Sequence, residues 1–306
     1  MMGRIVSIGE AMIEMSGGGE GTYRMGFAGD TLNSAYYLRA RLGADWTVDY
    51  FTALGGDLYS GQMRAHIKDL GIGTGHIREI AGRRPGLYMI HQAEGDRHFT
   101  YWRDTSAAKL LADDEAALDA ALEGADVVYF SGITLAILAP EARTRLLDAM
   151  GRRRKAGAKV CFDPNIRPVL WDGKDAVIEA LTRAAAVSTI VLPTHEDEVP
   201  YFGDPDDQAT AERYRAAGAD EVVVKNGGDP ALIVTAGGQW RVPAQEAEKI
   251  VDATGAGDSF NGGYLAARLT GADPETAAQA GHATAAIVIG HHGAIVPKEK
   301  LGSLHS

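Results

Sequence analysis

The run Asp252-Ala253-Thr254-Gly255-Ala256-Gly257-Asp258-Ser259-Phe260 places an acid on either side of a Gly-Ala-Gly turn. An apolar helical pattern, Asn261-Gly262-Gly263-Tyr264-Leu265, starts at once behind it. A glycine-rich turn that opens a helix aims backbone N–H groups and the positive end of the helix dipole at one spot. That spot suits a phosphate or a developing anion. Asp258 stands within reach of it and has the chemistry of a base that takes a proton from a hydroxyl attacking phosphorus. The same residue also fits an N-cap, the ordinary duty of Asp at a helix start. Local sequence leaves both roles open.

Four further clusters carry usable chemistry. Ala28-Gly29-Asp30-Thr31-Leu32-Asn33 is a second acid-bearing turn before a helix, where Asp30 and Asn33 suit vicinal hydroxyls or, more plainly, a cap. Tyr88 stands near Tyr101 and Arg103, which are two apart on a strand and share a face. An arginine flanked by phenols suits a carboxylate, because guanidinium binds carboxylate through two parallel hydrogen bonds. A surface Arg–Tyr stack is the plain alternative, and Trp102 faces the other way, toward packing. Asn165 and Arg167 sit in a loop stiffened by Pro164 and Pro168, with Asp172 as a local partner for the arginine. Lys225-Asn226-Gly227-Gly228 suits nucleotide phosphates or a solvated strand end. His91, His98, His282, His291 and His292 match no metal-ligand spacing. No GxxxxGK[ST] loop and no GxGxxG after a strand occur, so Walker and Rossmann nucleotide sites are disfavoured.

These residues need elements to hold them. Ile5–Ile8, Ala11–Met15 and Val48–Leu54 read as strands, with a loop over Gly17–Gly21. Thr31–Leu42 and Asp57–Leu70 read as helices, and Gly86–Gln92 with Arg97–Arg103 as a hairpin. Further on, short apolar strands at Val127–Ser131, Lys159–Asp163, Thr189–Leu192 and Glu221–Lys225 alternate with helices at Pro140–Ala156, Asp175–Ala186 and Ala209–Ala217. Asp258–Leu269 and Pro274–Ile289 close the chain. Such alternation predicts a parallel sheet covered by helices, with ligands at the carboxyl ends of the strands. Three polar clusters fall just after strands: Asp163–Arg167, Thr194–Glu198 and Lys225–Gly228. All three are therefore expected along one crevice.

The 306 residues suit one large α/β domain with a small β-rich lid from about 11–30 and 84–104. With 45% apolar and 23% charged residues the chain reads as globular. A net charge of −11 argues against a general nucleic-acid or anionic-membrane binder, so an anionic substrate must be caught by local cations. The single Cys161 lies in an apolar run, which suits packing and a reducing cytoplasm. The basic run Arg152–Lys155 sits on a helix end, favourable to its dipole.

In this order, these elements resemble the ribokinase-like (PfkB-type) sugar kinases along nearly the whole chain. Asp252–Leu265 looks like that family's C-terminal signature. The resemblance implies a three-layer α/β/α fold with a mostly parallel central sheet and a small β-sheet lid. Gly29–Asn33, Gly86–Tyr88, Phe99–Arg103, Ser131–Ile133 and Asn165–Trp171 look most like the branch acting on 2-keto-3-deoxygluconate, a keto sugar acid. By resemblance, Asp258 is the base and the amides of Gly255, Ala256 and Gly257 form the anion hole. Gly29, Asp30 and Asn33 would hold sugar hydroxyls, and Tyr88, Tyr101, Arg103 and Arg167 the acid end. Asn165, Lys225, Gly227 and Gly228 would line ATP, with His282 near the adenine. Thr194 and Asp197, with Glu198 adjacent, stand where many relatives have Asn-x-x-Glu, so Asp197 or Glu198 would support Mg²⁺ through water. The segment around His291-His292-Gly293 does not match the relatives' monovalent-cation loop, and that ion is not expected. Pairing of lids into a homo-oligomer is a further implication.

Overall fold

The structure, a computed structural model, describes residues 3–19, 21–93 and 96–302. Its strands are β1 (Gly3–Ile8), β2 (Met12–Gly19), β3 (Thr22–Ala28), β4 (Trp46–Phe51), β5 (Ala53–Leu54), β6 (Arg78–Glu79), β7 (Gly86–Ala93), β8 (Asp96–Trp102), β9 (Val127–Ser131), β10 (Lys159–Asp163), β11 (Ile190–Val191), β12 (Glu221–Val224), β13 (Ala231–Thr235) and β14 (Gly238–Val242). The helices are α1 (Asp30–Arg41), α2 (Leu58–Asp69), α3 (Glu115–Leu122), α4 (Gly132–Ala136), α5 (Pro140–Lys155), α6 (Lys174–Val187), α7 (His195–Phe202), α8 (Asp207–Ala217), α9 (Ala256–Leu269) and α10 (Pro274–Ile289).

The central strands are apolar on both faces, and this dictates the layering. Along β9, Val128 and Phe130 enter one core while Val127 and Tyr129 enter the other. Along β10, Val160 and Phe162 oppose Cys161 in the same way. A sheet buried on both sides needs helices on both sides. The main sheet runs β14-β13-β12-β11-β10-β9-β1-β4 and is parallel from β12 to β4. The edge β12-β13-β14 is antiparallel. The pairing of Ser131 with Asp163 brings the carboxyl ends of β9 and β10 level, and the polar loops leave from there.

A smaller sheet, β3-β2-β7-β8, stands apart from the main one. Gly17 pairs with Tyr23 and Gly19 with Thr22, so the glycine run expected as a loop continues β2 into a hairpin. The expected hairpin turn at Glu94-Gly95 lies outside the described residues. Tyr88 pairs with Tyr101 and with Glu14, on one face of this sheet. The opposite face leaves Tyr23, Met25 and Trp102 exposed, Trp102 at 57%. Trp102 does point away from Tyr101 as expected, but it faces solvent and does not pack. Among the described residues no helix is long and apolar enough to cross a membrane. Cys161 is fully buried, and burial pushes its thiol up to about 12, as a packing role requires.

Candidate active site

Helix α9 starts where the sequence places its glycine turn. Gly255 is its N-cap in the left-handed region (φ 78°), and a Cβ there would come within 2.9 Å of Ala294. Glycine is the residue that satisfies both constraints. No side chain caps α9. The Asp258 carboxylate accepts instead from Asn33 Nδ2 of α1 at 2.8 Å, while Ser34 Oγ donates to the Asp258 carbonyl at 3.3 Å. The cap reading therefore falls away. The turn before α9 lines the cleft, with the Ala256 N–H donating to the Ala253 carbonyl at 3.2 Å, and the acid beside it is tied to the other helix.

Gly29 precedes α1 and also has no side-chain cap. A Cβ on it would lie 2.2 Å from the Glu10 carbonyl, so glycine there answers a close approach of two backbones. Asp30 Oδ2 accepts from Asn165 Nδ2 at 2.9 Å. Asn165 is the one non-glycine residue with positive φ (34°) among those described. Its side chain thus faces the Gly29–Asn33 turn, where the resemblance had put it along the nucleotide. Asn33 Oδ1 is buried with no partner, an acceptor facing the place where hydroxyls are expected.

The acids here crowd one another. Burial raises Asp258 to about 7, with Asp30 the next cause and Asp163 a lesser one, while Asn33 and Lys225 oppose the rise. Burial likewise raises Asp30. A carboxyl near 7 is half ionised at neutral pH and takes up a proton readily, which suits a general base. Lys225 follows β12 and is buried. Its Nζ donates to Asp163 Oδ2 and Asn261 Oδ1, both at 3.2 Å, and would lie 3.6 Å from a Cβ at Gly257. Lys225 thus sits beneath the anion cradle. Asp163, held also by Asn261 Nδ2 at 2.7 Å, fixes it there.

The small sheet supplies the other wall. Tyr88 and Tyr101 rings lie 5.9 Å apart, and the Arg103 guanidinium lies 5.9 Å from the Tyr101 ring centroid. Two acids not singled out in the sequence hold this group. Glu10, 3% exposed, accepts from Arg103 Nη2 and Ser106 Oγ, and Glu14 accepts from the Tyr88 hydroxyl. Burial, then Glu14, raises Tyr88. Arg103 lines the cleft and keeps a buried Nε with no partner among the described residues, a donor left over beside the Nη2 that Glu10 holds. Arg167 reaches the same cleft and pairs at 3.7 Å with Asp197, not with Asp172.

Together these residues line a cleft of about 1060 Å³. Its walls include Gly29, Asp30, Asn33, Tyr88, Tyr101, Arg103, Asn165, Arg167, Asp197 and Lys225, and the whole Asp252–Asp258 turn. Four of the expected residues stand outside this lining. Glu198 is fully buried, accepting from the Tyr214 hydroxyl at 2.9 Å and from Arg213 Nη2 at 2.9 Å, and burial raises it to about 7. The segment is helix α7, so consecutive residues point about 100° apart; Asp197 faces the cleft and Glu198 the core. His282 packs edge-on against Phe260 at 5.0 Å with Nε2 3.2 Å from the Val242 carbonyl, and it does not line the cleft. Gly227 and Gly228 form an exposed turn beyond Lys225 and likewise stand outside the lining.

Compared with known proteins, the chain matches the pfkB family carbohydrate kinase model over residues 2–301. It is 42% identical to the 2-dehydro-3-deoxygluconokinase of Escherichia coli (strain K12), over 98% of this chain and 99% of that one. The enzyme of the same name from Dickeya dadantii is 41% identical, over 97% and 98%. Among solved structures, aminoimidazole riboside kinase from Salmonella enterica, complexed with aminoimidazole riboside and an ATP analog, gives a TM-score of 0.82 at 25% identity, covering 98% of this chain and 97% of that one. A putative Ribokinase II from E. coli gives 0.85 at 20% identity, over 99% and 96%, so the ribokinase-like α/β fold is the one observed.

Proposed function

The chain belongs to the pfkB family of carbohydrate kinases and is a sugar kinase; from that premise we propose that it transfers the γ-phosphoryl group of ATP to the terminal hydroxyl of 2-keto-3-deoxygluconate, giving 2-keto-3-deoxy-6-phosphogluconate. The observation that carries the substrate is a single cleft with a base and anion cradle together with an arginine–tyrosine clamp. A keto sugar acid has a hydroxyl for the first and a carboxylate for the second. A neutral sugar has no use for the clamp. The names of the relatives at 41–42% identity support the same substrate.

In this reading Arg103 and Arg167 take the carboxylate, and the turn of Gly29, Asp30 and Asn33 takes the hydroxyls. Asp258 accepts the proton as the terminal oxygen bonds to phosphorus. The bond from phosphorus to the bridging oxygen breaks, and its electron pair leaves on ADP. The amides of Gly255 and Gly257, with Lys225 beneath them, face the charge on the transferring group, and Ala256 joins them once its N–H leaves the Ala253 carbonyl. Phosphoryl transfer asks chiefly for such positioning and electrostatics. Asp197 fits a water-mediated Mg²⁺ site: burial raises its carboxyl, and its facing cation is a distant 3.7 Å away. Held there through water, Mg²⁺ would neutralise phosphate charge on the nucleotide.

The small sheet serves as a lid over the substrate within a single kinase domain, limiting hydrolysis of ATP. Its exposed outer face, with Tyr23, Met25 and Trp102, supports pairing of two copies into a homo-oligomer. A cytoplasmic setting belongs to the same reading, supported by the lone buried thiol. A steady-state panel of keto-deoxy acids and neutral sugars with ATP and Mg²⁺ tests the proposal. The keto acid should give the highest kcat/KM, and a higher value for ribose or fructose overturns the substrate.

A further inference from the structure

A second cavity, of about 690 Å³, lies on the far side of the wall that carries Arg167. The partition is made of α4 and the turn Pro168–Leu170. Ile133 and Val169 line the cleft, Ala136 and Asp172 line the cavity, and Leu170 lines both. Three cationic side chains converge on it: Lys109, Arg143 and Arg183. Arg143 is anchored, donating Nε to the Leu135 carbonyl at 2.8 Å and lying 4.9 Å from the Trp171 ring centroid. Arg183 Nη2 donates to Thr144 Oγ1 at 3.2 Å, and its ion pair with the exposed Glu179 spans 3.4 Å. Lys109 is half-buried, and among the described residues no hydrogen bond or ion pair holds its ammonium. Two carboxylates, Asp172 and Glu179, line the cavity against the three cations, and the cation left over calls for an anion. The volume falls within the usual range of small-molecule sites, roughly 300–1000 Å³.

We infer that this cavity binds a small polyanion, a phosphorylated or polycarboxylic acid, that acts as an effector of the sugar-acid site. Lys109 and Arg183 supply the mobile charges, and Arg143 a fixed one. The occupant presses on α4 and on the turn that bears Arg167, so it alters the grip on the substrate carboxylate and leaves the nucleotide wall alone. Only the kinetic consequence rests on the proposed substrate; the binding itself does not.

Calorimetric titration of the full chain tests it, with the cleft filled by a non-hydrolysable ATP analogue and the sugar acid and free Mg²⁺ held constant. One arm uses pyrophosphate and the other citrate. One equivalent should bind in at least one arm, and the responding arm identifies phosphate or carboxylate as the recognised group. The same anion should shift KM for the sugar acid roughly fivefold or more, as effectors commonly do, with KM for ATP unchanged. K109M/R183Q should lose the binding while keeping basal kcat and KM; if that pair unfolds, K109M alone carries the comparison. Silence in both arms, or binding that persists in the variant, overturns the site. Binding with no change in KM overturns its action as an effector.

Discussion

Replacing Asp258 with asparagine should trade activity for stability, with the two effects separable by pH. The substitution keeps the shape: the new amide oxygen can still accept from Asn33 Nδ2, which lies 2.8 Å from the carboxylate. What disappears is a buried negative charge beside Asp30. Folding raises Asp258 from the ordinary carboxyl value near 3.9 to about 7. The folded chain therefore keeps a proton that the unfolded chain has released. The stability tied to that proton is full below about pH 4 and is lost as pH rises through about 7, a loss of up to about 4 kcal/mol. The variant escapes the loss. Its melting temperature should lie slightly above the parent's at pH 5 and several degrees above it at pH 8.5. Removing a general base lowers kcat by about 10²–10⁴-fold, or about 3–5 kcal/mol of barrier. The parent's kcat/KM should also fall as pH drops below about 7, and the variant's residual rate should not. Scanning calorimetry at the two pH values and a coupled ADP-release assay read both effects. Equal melting at pH 8.5 together with near-normal turnover would refute both the burial argument and the assignment of the base.

Arg103→Ala should raise KM for the keto acid by roughly 10–100-fold, the worth of a hydrogen bond to a charged group, and hardly touch a neutral sugar; equal effects on both would remove the clamp from the argument. Lys225→Met takes away a positive charge that opposes the rise of Asp258. Its kcat should fall and its acid limb move above that of the parent, while an unmoved limb would place Lys225 outside the base's field. Gly255→Ala forces a side chain into the left-handed region and against Ala294; it should lower stability by about 1–2 kcal/mol and turnover by more, read by melting and by kcat. Trp102→Glu should shift sedimentation toward monomer without changing kcat, and an unchanged assembly would clear the outer face of the small sheet.

The parallel sheet and the Gly255–Asp258 turn were legible because their signals are local: apolar runs between helical stretches, and glycines where backbone must approach an anion. Asp197 and Glu198 could not be told apart while their segment read as a loop, since only the phase of a helix separates them. Glu10 stands two residues beyond strand β1, and nothing local marks it as a partner. Its partner Arg103 lies 93 positions away, and no spacing announces such a pair. Lys225 was legible as a phosphate binder or a solvated strand end but not as a buried group, because Asp163 and Asn261 come from two other elements. The edge hairpin of β13 and β14 has an apolar first strand, Ala231–Thr235, but its second, Gly238–Val242, is largely exposed and carries no run that marks it.

The bond from Asn33 to Asp258 joins residues 225 positions apart, and Tyr37 donates to the Ala294 carbonyl across 257. Contacts of such span form late, because the loop between them must close first. During synthesis the chain therefore carries its clamp and its hydroxyl turn long before it carries a base or an anion cradle. On the proposed function, a ribosome-bound fragment lacking α9 has neither the base nor the anion cradle. Phosphoryl transfer switches on only once the stretch around Ala294 has emerged to brace α1 against α9.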